Sequence, residues 1–144
     1  MQRILLVASL LWLLSGWAWA QSMPVNEDGV PAWVTQEYWN AARAQVAFDG
    51  TTLTLEATGL VPYGLYTFWG VNQQLLGMSE NPLGGSPENE FRADGQGNAS
   101  VEVSSGTRYD MLALAYHADN QTYGEEPGAM GDVTFIHFMG PFPQ

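Results

Sequence analysis

The chain has 144 residues, with four basic side chains, all arginine, against fifteen acidic ones, and no cysteine. A net charge of −11 leaves no basic patch for nucleic acid or anionic lipid. Without cysteine there is no disulfide framework, thiol nucleophile, lipid-anchoring thiol or cysteine-held metal.

Residues 1–20 have the pattern of a signal peptide. Arg3 supplies the positive end, residues 4–14 are apolar but for Ser9, and Ala18-Trp19-Ala20 is a small-x-small cleavage site. The run is short for a bilayer span, and polar sequence follows at once. Cleavage would leave one domain, residues 21–144, with three arginines against fifteen acids, a net charge of −12. The expected location is the periplasm or the medium, with no stable membrane insertion after cleavage.

Residues 21–32 are polar with two prolines and read as a lead-in. Residues 35–44 predict a short helix: Thr35 is an N-cap, Glu37 sits in the first turn, and Tyr38, Ala41 and Ala42 share a face. Residues 46–48 and 51–57 predict a hairpin about Asp49-Gly50, a primed-turn signal. That turn sets Phe48 against Thr51, Val46 against Leu53 and Ala44 against Leu55. Leu53, Leu55 and Ala57 alternate with Thr52, Thr54, Glu56 and Thr58, the pattern of a half-buried strand. Gly59 and Pro62 end it.

Residues 65–71 are apolar on both faces, with Tyr66 and Phe68 on one side and Leu65, Trp69 and Val71 on the other. Such a strand belongs at the centre of a sheet covered twice. Residues 72–90 predict one short strand about Leu75, Leu76 and Met78, then a long loop. Residues 91–93 and 99–103 predict a second hairpin about Asp94-Gly95-Gln96-Gly97-Asn98. Residues 110–117 form a second two-faced strand, 118–131 a loop rich in acid and glycine, and 133–139 the last strand. The expected fold is all-β: a single immunoglobulin-like antiparallel β-sandwich of about seven strands, with a short N-terminal helix.

Residues 59–66, GLVPYGLY, resemble the tyrosine corner of immunoglobulin-like and fibronectin type III sandwiches. Leu60, Pro62 and Tyr66 match its leucine, proline and tyrosine, and the resemblance implies a tyrosine hydroxyl bonded to upstream backbone. The placement departs from fibronectin: little chain precedes Gly59 and much follows Val71. Residues 53–103 are similar in outline to the extracellular domain of anti-sigma-K-type factors. Tyr66-Thr67-Phe68-Trp69 and Phe91 to Gly97 carry that likeness. A transmembrane helix and a sigma-binding segment are missing from the pattern, so it implies a fold and not that family's activity. Residues 116–128, YHADNQTYGEEPG, are similar to segments of uncharacterised secreted bacterial sandwich proteins.

The densest chemistry lies after the second two-faced strand. His117, Asp119, Glu125, Glu126 and Asp132 are candidate metal ligands, with Asn120 between them and His137 beyond. Carboxylate and amide oxygens suit calcium; an imidazole with carboxylates suits zinc or copper. A solvated acidic loop is the alternative. Direct pairing of the last two strands would put Asp132 near His117 and His137 near Leu112. Two histidines are too few for the dinuclear site of copper-zinc superoxide dismutase, and a cupredoxin centre needs cysteine. Ser104, Ser105 and His117 lack a Gly-x-Ser-x-Gly elbow. Asn98 and Asn120 open glycosylation sequons that read as turns. Trp33, Trp39, Tyr63, Tyr123 and Phe142 are either core or an aromatic patch. The functional expectation is an exported non-enzymatic protein with a binding or envelope-structural role and a protein or glycan partner. The alternative is a calcium, zinc or copper protein using the loop after His117.

Overall fold

A computed structural model describes residues 20–144 of the chain. The expected signal segment therefore lies outside the described residues, apart from Ala20. Nine strands and one short helix follow: β1 (Gln21–Met23), α1 (Gln36–Ala41), β2 (Arg43–Phe48), β3 (Thr52–Thr58), β4 (Leu65–Gln73), β5 (Met78–Pro82), β6 (Glu90–Arg92), β7 (Ala99–Ser104), β8 (Met111–His117) and β9 (Thr134–Pro141). They form two antiparallel sheets in a sandwich-like arrangement. Sheet one runs β1-β2-β3-β7; sheet two runs β5-β4-β8-β9, with β6 on the same side of β4 as β5.

Nine strands replace the expected seven or so. β1 lies in the polar lead-in, where alternation gave no signal, and β5 falls after the apolar pair Leu75-Leu76 rather than on it. The two strands apolar on both faces, β4 and β8, are the central pair of sheet two. Their inner residues, Tyr66, Phe68, Leu112, Leu114 and Tyr116, join Leu53, Leu55, Ala57 and Val46 of sheet one in the main core. Gly70 leaves room for another core ring, since a Cβ there would stand 2.3 Å from Tyr109.

The β2–β3 hairpin forms with its register displaced by two residues. Phe48 pairs with Leu53, Val46 with Leu55 and Ala44 with Ala57. The loop is Gly50-Thr51, with Gly50 at φ +106°. The Asp49 carboxylate accepts from the Thr51 and Thr52 amides, 2.9 and 2.7 Å away, and so ties the turn one residue later than expected. A slip of two keeps each side chain on its face, which is why the apolar pattern cannot detect it.

The second expected hairpin does not form. The turn at 94–98 is present, held by the Asp94 carboxylate on the amides of Gln96 and Asn98. Its arms separate, however: β6 pairs with β4 in sheet two and β7 with β3 in sheet one. The turn is a crossover between layers.

α1 packs Trp39 into the main core. Thr35 caps it by accepting from the Tyr38 amide, Trp39 is fully buried, and the chain is extended again by Ala42. The Tyr38 hydroxyl donates to the Leu60 carbonyl at 2.8 Å, which links the helix to the 59–66 corner. Residues 24–26 then cover the outer edge of β9, through Met139 N–H to Pro24 O and Asn26 N–H to His137 O. A covered edge offers no free ladder to another chain.

Candidate functional site

The two histidines fall on opposite faces of sheet two. β8 and β9 pair as Leu114 with Phe138 and Ala115 with Ile136, so His137 is an extra residue, a β-bulge. The bulge turns its ring into the core. There it stacks on the Trp39 indole, 3.6 Å between centroids and 15° between planes. Its Nε2 lies 3.1 Å from the Trp39 carbonyl and its Nδ1 3.0 Å from the Tyr66 hydroxyl. A carbonyl only accepts, so Nε2 carries the proton and Nδ1 accepts from Tyr66. The Tyr66 oxygen in turn accepts from the Val61 amide at 3.0 Å, five residues upstream. Every polar atom of this chain of bonds is satisfied. Burial pushes the His137 pKa down to about 4 and the Tyr66 pKa up. His137 is a neutral core residue with no nitrogen left for a metal.

His117 faces outward, beneath the 118–133 loop, and is nonetheless buried. It pairs with Leu65 and Thr134, so neither Asp132 nor His137 stands opposite it. Its Nε2 lies 2.7 Å from Thr67 Oγ1, which also accepts from Trp69 Nε1 at 2.6 Å. Its Nδ1 is buried with no partner. Burial pushes its pKa down, against the opposing pull of Asp119 and Glu90.

The rest of the loop closes on itself. The Tyr123 hydroxyl donates to Asp119, which holds that carboxyl below the usual range and pushes the tyrosine up. Thr134 Oγ1 donates to the Pro127 carbonyl at 2.8 Å. Gly128, at φ +96°, lies where a Cβ would meet Thr134 Oγ1 at 2.6 Å and the Tyr123 ring at 2.8 Å. Glu125, Glu126 and Asp132 are exposed. Among the described residues no three His, Asp or Glu side chains gather to hold one metal ion, so the five expected ligands are not assembled. Nor do the serines meet His117: Ser104 ends β7 in sheet one, Ser105 follows it, and Ser105 Oγ donates to Thr107 O. Of the five aromatics, Trp39 and Phe142 are core, while Trp33, Tyr63 and Tyr123 are exposed.

What sequence reasoning passed over is the surface around His117. The outward residues of sheet two are Trp69 and Val71 on β4, Met111, Ala113 and Ala115 on β8, and Ile136 and Met139 on β9, packed as a second apolar cluster. Trp69 pairs with Ala113, a small neighbour in the same outer cluster. Above them opens a pocket of about 280 Å³. Trp69, Val71 and Ala113 form its floor; Met78, Met130, Met139 and Ile136 line its walls; Glu80, Asn26 and Thr134 supply its polar groups. The signal was present in the alternation of β4 and β8, whose outward residues are as apolar as their inward ones.

No family model, curated protein or solved structure matches the chain.

Proposed function

We propose that this is an exported, non-enzymatic binding protein whose ligand face is the outer surface of sheet two. One observation carries the reading. The outward side of β4, β8 and β9 is a second apolar cluster, only partly roofed, with a pocket open above Trp69 and Ala113. A concave, mostly apolar site with a few polar groups is the usual form of a small-ligand site. The leader-like residues 1–20 support export, and β1 starts at Gln21, the residue after the expected cleavage point. The Tyr66 corner supports an immunoglobulin-like form for the sandwich.

A neutral apolar dye such as N-phenyl-1-naphthylamine tests the pocket. Exported protein with an intact mass that starts at Gln21 should brighten the dye. Met130→Lys, which sets a charge at an exposed position of the pocket wall, should weaken that binding at least tenfold while the urea midpoint stays near wild type. Dye binding unchanged in Met130→Lys, or none in the folded wild type, would remove this reading.

A further inference from the structure

The two ends of sheet two are finished differently. At one end residues 24–26 bond along the outer edge of β9. At the other end stands β5, which pairs with β4 and with no other strand. The ladder fixes which of its backbone groups are free. The Gln74 amide donates to the Gly77 carbonyl, the Leu83 amide donates to the Phe68 carbonyl, and between them Asn72 pairs with Ser79 and Gly70 with Asn81. Bonded pairs alternate along an antiparallel ladder, so Ser79 and Asn81 bond to β4 while Met78 and Glu80 turn their N–H and C=O groups outward. Among the described residues, no backbone group outside β4 bonds to either. Pro82 also faces outward and has no N–H. The hairpin tip beside this edge is apolar: Leu75 is 100% and Leu76 90% exposed, and residues 72–79 carry no charge. An unpaired edge next to exposed apolar side chains is a template for another strand.

We infer that β5 is an association edge and that its partner is β5 of a second copy of this chain, the two strands running antiparallel about a two-fold axis at Ser79. The edge itself selects that register. A two-fold contact sets residue i against j and j against i. Centred on Ser79, Met78 of each copy meets Glu80 of the other. Both residues face outward, so each pair exchanges two N–H···O bonds. Centred on Glu80, two carboxylates would stand side by side, and Met78 would meet Pro82, which has no N–H to give. Glu80 is the one charged side chain of β5, and the Ser79 register sets it beside a methionine. Met78 and Glu80 both line the outer pocket, so the pocket faces of the two copies fall on one side of the joined sheet. The net charge of −11 opposes the contact, and salt screens that repulsion. Association should therefore tighten with ionic strength, whereas a basic strand drawn to the edge by charge would loosen.

Sedimentation velocity of the untagged protein should show a reversible monomer–dimer equilibrium, tighter in about 1 M NaCl than at low salt. Glu80→Pro removes an outward N–H, leaves the β4 ladder intact and deletes a negative charge. Charge alone would then favour the dimer; loss of the ladder bonds should weaken it at least tenfold. Met78→Lys alters a half-exposed position, so it secures the test if Glu80→Pro unfolds. It sets a lysine beside Glu80 of the second copy and should tighten the dimer at least fivefold. Gln45→Lys, the same charge change on the outer face of sheet one, should move it less than twofold. A monomer at every concentration and salt, association that weakens as salt rises, undiminished association of folded Glu80→Pro, or equal effects of Met78→Lys and Gln45→Lys would each overturn the inference.

Discussion

The outer faces of the two sheets are built on opposite principles. Sheet one turns Arg43, Gln45, Thr54, Glu56, Ser100 and Glu102 to water, the polar half of strict alternation. Sheet two turns Trp69, Val71, Ala113, Ala115, Ile136 and Met139 outward. A polar outer face is complete once solvated. An apolar one gains by being covered, at roughly 25 cal/mol per Å² of surface removed from water. Here the 118–133 loop and residues 26–29 cover part of it and leave the pocket. A sheet apolar on both faces needs cover on both, and on sheet two the outer cover is partial and leaves a pocket open.

The largest expected effect tests whether that outer face is energetically a core. Trp69 is 2% exposed although it points away from the main core. Trp69→Ala should cost about 3–5 kcal/mol, as an interior aromatic does. Urea unfolding at pH 7 measures it; a loss below about 1 kcal/mol would mean that the face is mere surface.

A smaller effect separates the two histidines, one on each face. His137 has its pKa lowered from 6.5 to about 4. Between those values the unfolded chain takes up a proton that the folded chain refuses. Stability is therefore full above about pH 6.5 and falls as pH drops toward 4, by about 3 kcal/mol in all. His117, also lowered, adds a loss of the same sign. Urea midpoints from pH 7 to 4 should show the decline, and His137→Gln should flatten most of it. An equally steep decline in that variant would take the inner histidine out of the comparison.

The smallest effect lies on sheet one. Glu102 is exposed and pairs across from Thr54. Glu102→Gln should stay within about 0.5 kcal/mol of wild type. A larger loss in the same urea assay would show that the polar face is structured beyond solvation.

Much of this was legible in the residues because the relevant physics is local. Alternation assigned Leu53, Leu55 and Ala57 to the core, and the double apolar pattern placed β4 and β8 at the centre of their sheet. The resemblance to a tyrosine corner implied a Tyr66 hydroxyl bonded to upstream backbone, and that oxygen accepts from the Val61 amide. Side-chain period and turn chemistry act over a few residues, so one segment suffices to read them. Partner choice does not work that way. The turn at 94–98 fits a hairpin or a crossover equally well, and only the competing edges of β3 and β4 send β7 and β6 to different sheets. One extra residue in β9 rotated His137 inward, away from His117, and no pattern within β9 announces that bulge. The loop carboxylates, close in sequence, stay spread in water, while Asn26, Glu80 and Ile136, far apart in sequence, line one pocket. Sequence by itself determined which faces are apolar. Tertiary structure decided which apolar atoms share a site, because that depends on contacts between segments the chain brings together only on folding.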